Sequence, residues 1–203
     1  MSKYKEDLQY IRQMMEKSST FISLSGWSGI SAGIIGLCSS AICWFLMDSY
    51  GIDYFDGNRN IYPKQLLINI FILALLTIIF TLGISYYFTH KKARKLNLPI
   101  WTGMTKYLII QLCIPLISGG IISLIFIWYK LYFLAAPTCL VFYGLSLTSA
   151  SKYLKTDLFW LGICEIILGL LGMIIPGYGL VLWSIGFGLL HIVYGIVLQN
   201  KYP

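Results

Sequence analysis

The sequence predicts an all-α integral membrane protein, a six-transmembrane-helix bundle. Three observations carry this: a charge-poor apolar composition, six apolar runs of spanning length, and cations gathered on one side of those runs. Of 203 residues, 58% are hydrophobic and 11% charged, against about 25% charged in a soluble domain. Too little polar surface exists to cover a water-soluble globule, whereas a bilayer solvates an apolar exterior directly. A single membrane domain, 1–203, takes up the length, and the composition excludes a freely soluble enzyme or binding module.

The first 20 residues read as an amphipathic helix. Tyr4, Leu8, Ile11 and Met15 recur at i, i+4, i+7 and i+11, one apolar face opposite a charged one. Such a helix lies on the inner membrane surface or docks a partner. Lys3, Lys5, Arg12 and Lys17 alternate with Glu6, Asp7 and Glu16, and no apolar core follows a basic start, so this is not read as a cleavable signal.

A span needs about 20 apolar residues, which places spans at 24–47, 66–89, 107–129, 131–151, 158–175 and 180–199. The run from Tyr107 to Ser151 is too long for one crossing, and Lys130 interrupts it, so a tight hairpin is expected at Tyr129–Lys130. Pro176-Gly177-Tyr178-Gly179 is a strong turn signal between the last two spans. Pro115, inside the third span, predicts a kink.

The cations orient the bundle by the positive-inside rule. With both termini cytoplasmic, Lys3, Lys5, Arg12, Lys17, Lys91, Lys92, Arg94, Lys95, Lys106, Lys152, Lys155 and Lys201 fall inside, against Arg59, Lys64 and Lys130 outside. Tryptophan, which favours the headgroup level, agrees: Trp27, Trp101 and Trp160 fall near inner ends, Trp44, Trp128 and Trp183 near outer ends. The run Lys91, Lys92, Arg94, Lys95 reads as an anchor to anionic headgroups. It is too short to form a nucleic-acid surface.

Outside, residues 48–65 form the one sizeable loop, with Asp48, Asp53, Asp56, Asn58 and Asn60. It lacks the spacing and closing glutamate of a calcium loop and reads as a solvated acidic loop. Cys38, Cys43, Cys113, Cys139 and Cys164 all fall in apolar runs, without metal or disulfide spacing, and read as small core residues. No metal or other cofactor is expected. No inverted repeat of the transporter kind is visible.

Glu165 and His191 are the ionisable residues within the spans. Each costs about 2.5–3.5 kcal/mol at a bilayer centre, so each needs a reason to be there. Reflecting Glu165 through the Pro176–Gly179 turn lands one residue from His191, at similar depth. Glu165 shares a stripe with Gly162, Gly169 and Gly172, and His191 with Ser184, Gly188 and Gly195, the small residues that mark close packing. The two side chains are expected within reach, directly or through one water. The pair then either fixes helix register or forms a proton or cation site. Asn69, Thr77, Thr81, Ser85 and Thr89 recur at multiples of four on the second span. With Gln111 they suggest a polar path, or interhelical glue.

The first span carries Ser25, Gly29, Gly33 and Gly36, a small-xxx-small pattern for close packing or dimerisation. Gly29-Ile30-Ser31-Ala32-Gly33 matches G-x-S-x-G, but a nucleophile elbow needs a strand-turn-helix and this is mid-helix. Gly26-Trp27-Ser28-Gly29 resembles the G-x-S-G of rhomboid intramembrane proteases, which implies a serine hydrolase pairing Ser28 with His191. The chain departs from that family in carrying the serine on its first span and toward the inner side. The stretch Glu16–Gly33, EKSSTFISLSGWSGISAG, resembles the opening of an uncharacterised family of small multi-pass bacterial inner-membrane proteins. That resemblance implies the location and transfers no functional residues.

The leading expectation is a non-enzymatic small transporter or channel-like protein using Glu165 and His191. The alternative is a membrane-embedded regulatory or scaffold subunit that recruits a partner or a second copy.

Overall fold

Backbone N–H and C=O groups in an apolar setting must be satisfied within the chain, and helices do this locally. In the computed structural model, residues 7, 25–55, 62–97, 99–101, 103–154 and 158–201 are described, and among them no strand occurs. Of the expected amphipathic leader only Asp7 is included, so that helix lies outside the described residues.

The helices are α1 (Gly26–Ser49), α2 (Lys64–Lys95), α3 (Gly103–Trp128), α4 (Tyr132–Ser151), α5 (Leu158–Ile174) and α6 (Gly179–Lys201). Five of these are long and apolar enough to cross a membrane, whereas α5 has 17 residues. At 1.5 Å per residue it reaches about 25 Å, short of a hydrocarbon core of about 30 Å.

The α3–α4 hairpin turns where Lys130 interrupts the apolar run. Lys130 adopts a left-handed φ of 61°, and the Leu131 N–H closes back on Phe126 O at 2.8 Å. A 3-10 turn, Tyr132–Leu134, then opens α4. Helix α3 is continuous through Pro115. Helix α2 runs six residues beyond the expected end of its span, to Lys95. Lys92, Arg94 and Lys95 occupy its last turn, where cations complement the helix dipole.

Contacts make neighbouring helices antiparallel. On α1, Trp27 meets Phe88 of α2 and Ser39 meets Thr77. Across α1 and α6, a Cβ on Gly33 would strike Gly188 O, and one on Gly195 would strike the Ile30 N and Gly26 O. Gly144 of α4 and Gly162 of α5 are reciprocal, each against the other's carbonyl. Missing side chains thus let the backbones approach closely, the packing that membrane helices use. Helix α1 lies between α2 and α6, α4 between α3 and α5, and α6 joins the two groups through contacts with α4 and α5.

Two apolar clusters close the bundle at opposite ends. At the end where α4 stops and α5 starts are Leu108, Leu147, Ala150, Leu154, Leu158 and Leu161. At the other are Met47, Leu66 and Leu180. The outer loop is held there: the Leu180 N–H donates to the Tyr54 hydroxyl, and Gly177, at φ +94°, packs against Phe55 O. The large side chains of α2, such as Phe71, Ile79 and Leu82, face outward.

The cysteines depart from expectation. Cys38, Cys113 and Cys164 are exposed, while Cys43 and Cys139 are half-buried, and none is disulfide-bonded. A thiol behaves as a small hydrophobe, so an apolar exterior of the kind a bilayer would solvate accepts it as readily as a core does.

Candidate functional site

Glu165 projects from the middle of α5 and is fully buried, at 0% exposure. It meets α6 where that helix widens into a π turn, Ile185–Leu190. A Cβ on Gly186 would overlap the Glu165 Oε2 and Leu140 Cδ2, so the absent side chain is what admits the carboxyl group. π turns inside α-helices frequently mark functional sites.

His191 follows the π turn directly. Its Nδ1 lies 3.5 Å from Glu165 Oε1 and 2.9 Å from Gly186 O. Its Nε2 lies 2.7 Å from the Tyr143 hydroxyl of α4. A carbonyl can only accept, so the proton sits on Nδ1, and in the neutral ring Nε2 accepts from the Tyr143 O–H. Phe187 stacks on the imidazole at 5.8 Å and lies 4.7 Å from the Tyr143 ring, which fixes both orientations.

With Nδ1 committed to Gly186, neither Glu165 oxygen has a hydrogen-bond partner among the described residues. An unpaired buried acceptor costs about 1–3 kcal/mol, and more if charged. The pair can carry no net charge in two ways, as carboxylic acid with imidazole or as carboxylate with imidazolium. One proton crossing about 3.5 Å between Nδ1 and Oε1 interconverts them, and the neutral ring is then protonated at Nε2.

The small-residue stripes carry the helix–helix contacts beside the pair. Gly162, Gly169 and Gly172 abut Gly144, Val141 and Pro137 of α4. Gly29, Gly33, Gly188 and Gly195 form the α1–α6 contact. Glu165 and His191 sit beside these interfaces, facing each other and Tyr143.

The remaining polar residues are not brought to this site. Asn69, Thr77, Thr81 and Ser85 are half-buried on α2, whose main neighbour is α1. Thr77 shares a 2.5 Å bond with Ser39, and Asn69 accepts from Gln65 on its own helix. Gln111 of α3 accepts from Ser149 of α4 at 2.7 Å. Thr77 and Gln111 thus make separate interhelical bonds at two interfaces. Ser28 donates to Ser25 O at 2.6 Å, while both His191 nitrogens are engaged as described, so the two do not form a hydrogen-bonded dyad. Lys91 and Arg94 line a cleft of about 330 Å³ with Tyr87 and His90 at the end of α2. Among the described residues no cluster of three metal-ligating side chains occurs.

Tyr143 and Gly186 are the site residues that sequence reasoning missed. A tyrosine in mid-span is itself a signal, since its hydroxyl needs a partner when buried. The Gly186-Phe187-Gly188 run marks the π turn less directly. Comparisons with protein-family models, curated proteins and solved structures find no match for the chain.

Proposed function

We propose that the chain is a six-span protein of a bacterial inner membrane with both termini in the cytoplasm, and that it acts as a small non-enzymatic transporter or channel-like protein through Glu165 and His191. The single observation that carries this is a fully buried carboxyl group, unpaired by hydrogen bonds among the described residues, 3.5 Å from an imidazole. A pair kept only to fix helix register would be expected to satisfy its own acceptors. An intramembrane ionisable group left unsatisfied is instead suited to loading and releasing a cation.

In this topology the helix ends carrying Lys91, Lys92, Arg94 and Lys95 meet anionic inner-leaflet headgroups. Helix α5 crosses as the fifth of the six spans, with help from flanking residues or local thinning of the bilayer.

The tight packing around Glu165 also supports a second reading, a regulatory or scaffold subunit in which the site is static. The outward apolar face of α2 would then meet a partner or another copy. Purified protein in liposomes with an internal pH-sensitive dye distinguishes the two. Transport predicts flux that Glu165→Gln abolishes. Equal, background-level signals from wild type and variant would leave the scaffold reading.

A further inference from the structure

We propose that the species handled at Glu165 is a proton, not a metal cation, and that Tyr143 hands it to His191 from the end of the bundle that holds Lys201. This rests on the transport reading above and names its substrate class.

The donor set argues against a metal. Hard cations take about six or more oxygen ligands. Here the Gly186 carbonyl is occupied by His191 Nδ1 at 2.9 Å, which leaves the two Glu165 oxygens. One of these lies against Gly186, where even a methyl group would not fit. A proton needs neither volume nor a ligand shell.

The order of groups supplies a route. The titratable groups facing Glu165 are His191 from α6 and Tyr143 from α4. Tyr194, one turn of α6 nearer Lys201, packs with Tyr143 against the leucine cluster at that end. The Tyr143 hydroxyl gives its proton to Nε2 and takes one from the water side, so the phenol is unchanged and the ring becomes imidazolium. The Nδ1–H then turns from Gly186 O and passes its proton to the Glu165 carboxylate. The products are a carboxylic acid and a neutral ring protonated at Nε2. Release runs the same transfers backward, from Glu165 to Nδ1 and from Nε2 to Tyr143, and restores the ring protonated at Nδ1.

Tyr143 is thus a relay residue, and removing its hydroxyl while keeping its ring tests it. Full-length protein in liposomes is transferred to D2O, and infrared spectroscopy follows the carboxylic C=O band, assigned by its loss in Glu165→Gln. Tyr143→Phe is expected to slow hydrogen–deuterium exchange of that band by about a hundredfold, the low end of what a positioned proton-transfer group contributes. The same preparation's melting temperature controls for folding, and Tyr194→Phe provides a second variant on the same route, expected to slow exchange as well. Exchange at the wild-type rate in both variants overturns the relay, and a Glu165 band absent at every pH overturns proton loading. Slowed exchange without liposome flux keeps the relay and removes the transport reading.

Discussion

Replacing Gly186 with alanine is the smallest change that tests how Glu165 is held. A Cβ there would lie 2.6 Å from Leu140 Cδ2 and 3.1 Å from Glu165 Cδ, and closer still to Oε2. Contacts this short cannot be met without movement, and neither neighbour has room, since Leu140 and Glu165 are both at 0% exposure. Overpacking of this kind costs about 1–3 kcal/mol, and two immobile neighbours place Gly186→Ala near 3 kcal/mol on that scale. Gly120 on α3 has nothing within 4 Å of its added Cβ, so Gly120→Ala should stay within about 0.5 kcal/mol of wild type. Reversible unfolding in mixed micelles, followed by circular dichroism, measures both. Shortening the carboxylate with Glu165→Asp should recover part of the Gly186→Ala loss, with a coupling of about 1 kcal/mol or more. Gly186→Ala as stable as wild type, or a loss that Glu165→Asp leaves untouched, would refute the packing described here.

Other perturbations separate structural from functional groups. Gly162→Leu drives a side chain into Gly144 O and Thr148 and should cost on the order of 3 kcal/mol in the same unfolding assay. Ser149→Ala removes one α3–α4 hydrogen bond and should cost only about 0.6 kcal/mol, the average for interhelical bonds in membranes, without changing liposome flux. Tyr54→Phe removes the acceptor for the Leu180 N–H at the start of α6 and should lower stability by about 1 kcal/mol, as loss of a helix cap does. Burial raises the Tyr54 phenol above its ordinary value. Its contribution to stability is therefore fully present below the unfolded value of about 10, and is lost as pH rises from there toward the folded value. Wild type should show this alkaline loss and Tyr54→Phe should lack it.

What could be read from the sequence follows from which registers a turn fixes. The Pro176–Gly179 turn is tight, so counting outward from it places Glu165 and His191 opposite each other, and they lie 3.5 Å apart. The count falls one residue short of His191, and a π turn inserts one residue into a helix. That turn, Ile185–Leu190, follows from packing against Glu165 and Leu140 and has no periodic signature of its own. Tyr143 was missed for a related reason. Helices α4 and α5 are joined without a short punctuated turn, so their register emerges only from the Gly144–Gly162 contact. The stripe on α2 shows the reverse case. Its fourfold spacing correctly puts Asn69, Thr77, Thr81 and Ser85 on one face, but spacing cannot say which neighbour that face meets, and it is chiefly α1. Apolar character likewise does not separate an outward face from the core, and Cys38, Cys113 and Cys164 lie on the outside.

The geometry on which transport, relay and packing all depend can be measured in the bilayer itself. Magic-angle-spinning NMR on protein in liposomes, with labelled glutamate carboxyl carbons and histidine ring nitrogens, reports the separation of the two side chains, with Glu165→Gln assigning the signal. Strong coupling between the Glu165 carboxyl and His191 Nδ1 is predicted from their 3.5 Å oxygen–nitrogen distance. No coupling, with the groups more than about 8 Å apart and so beyond the reach of one bridging water, would contradict the account.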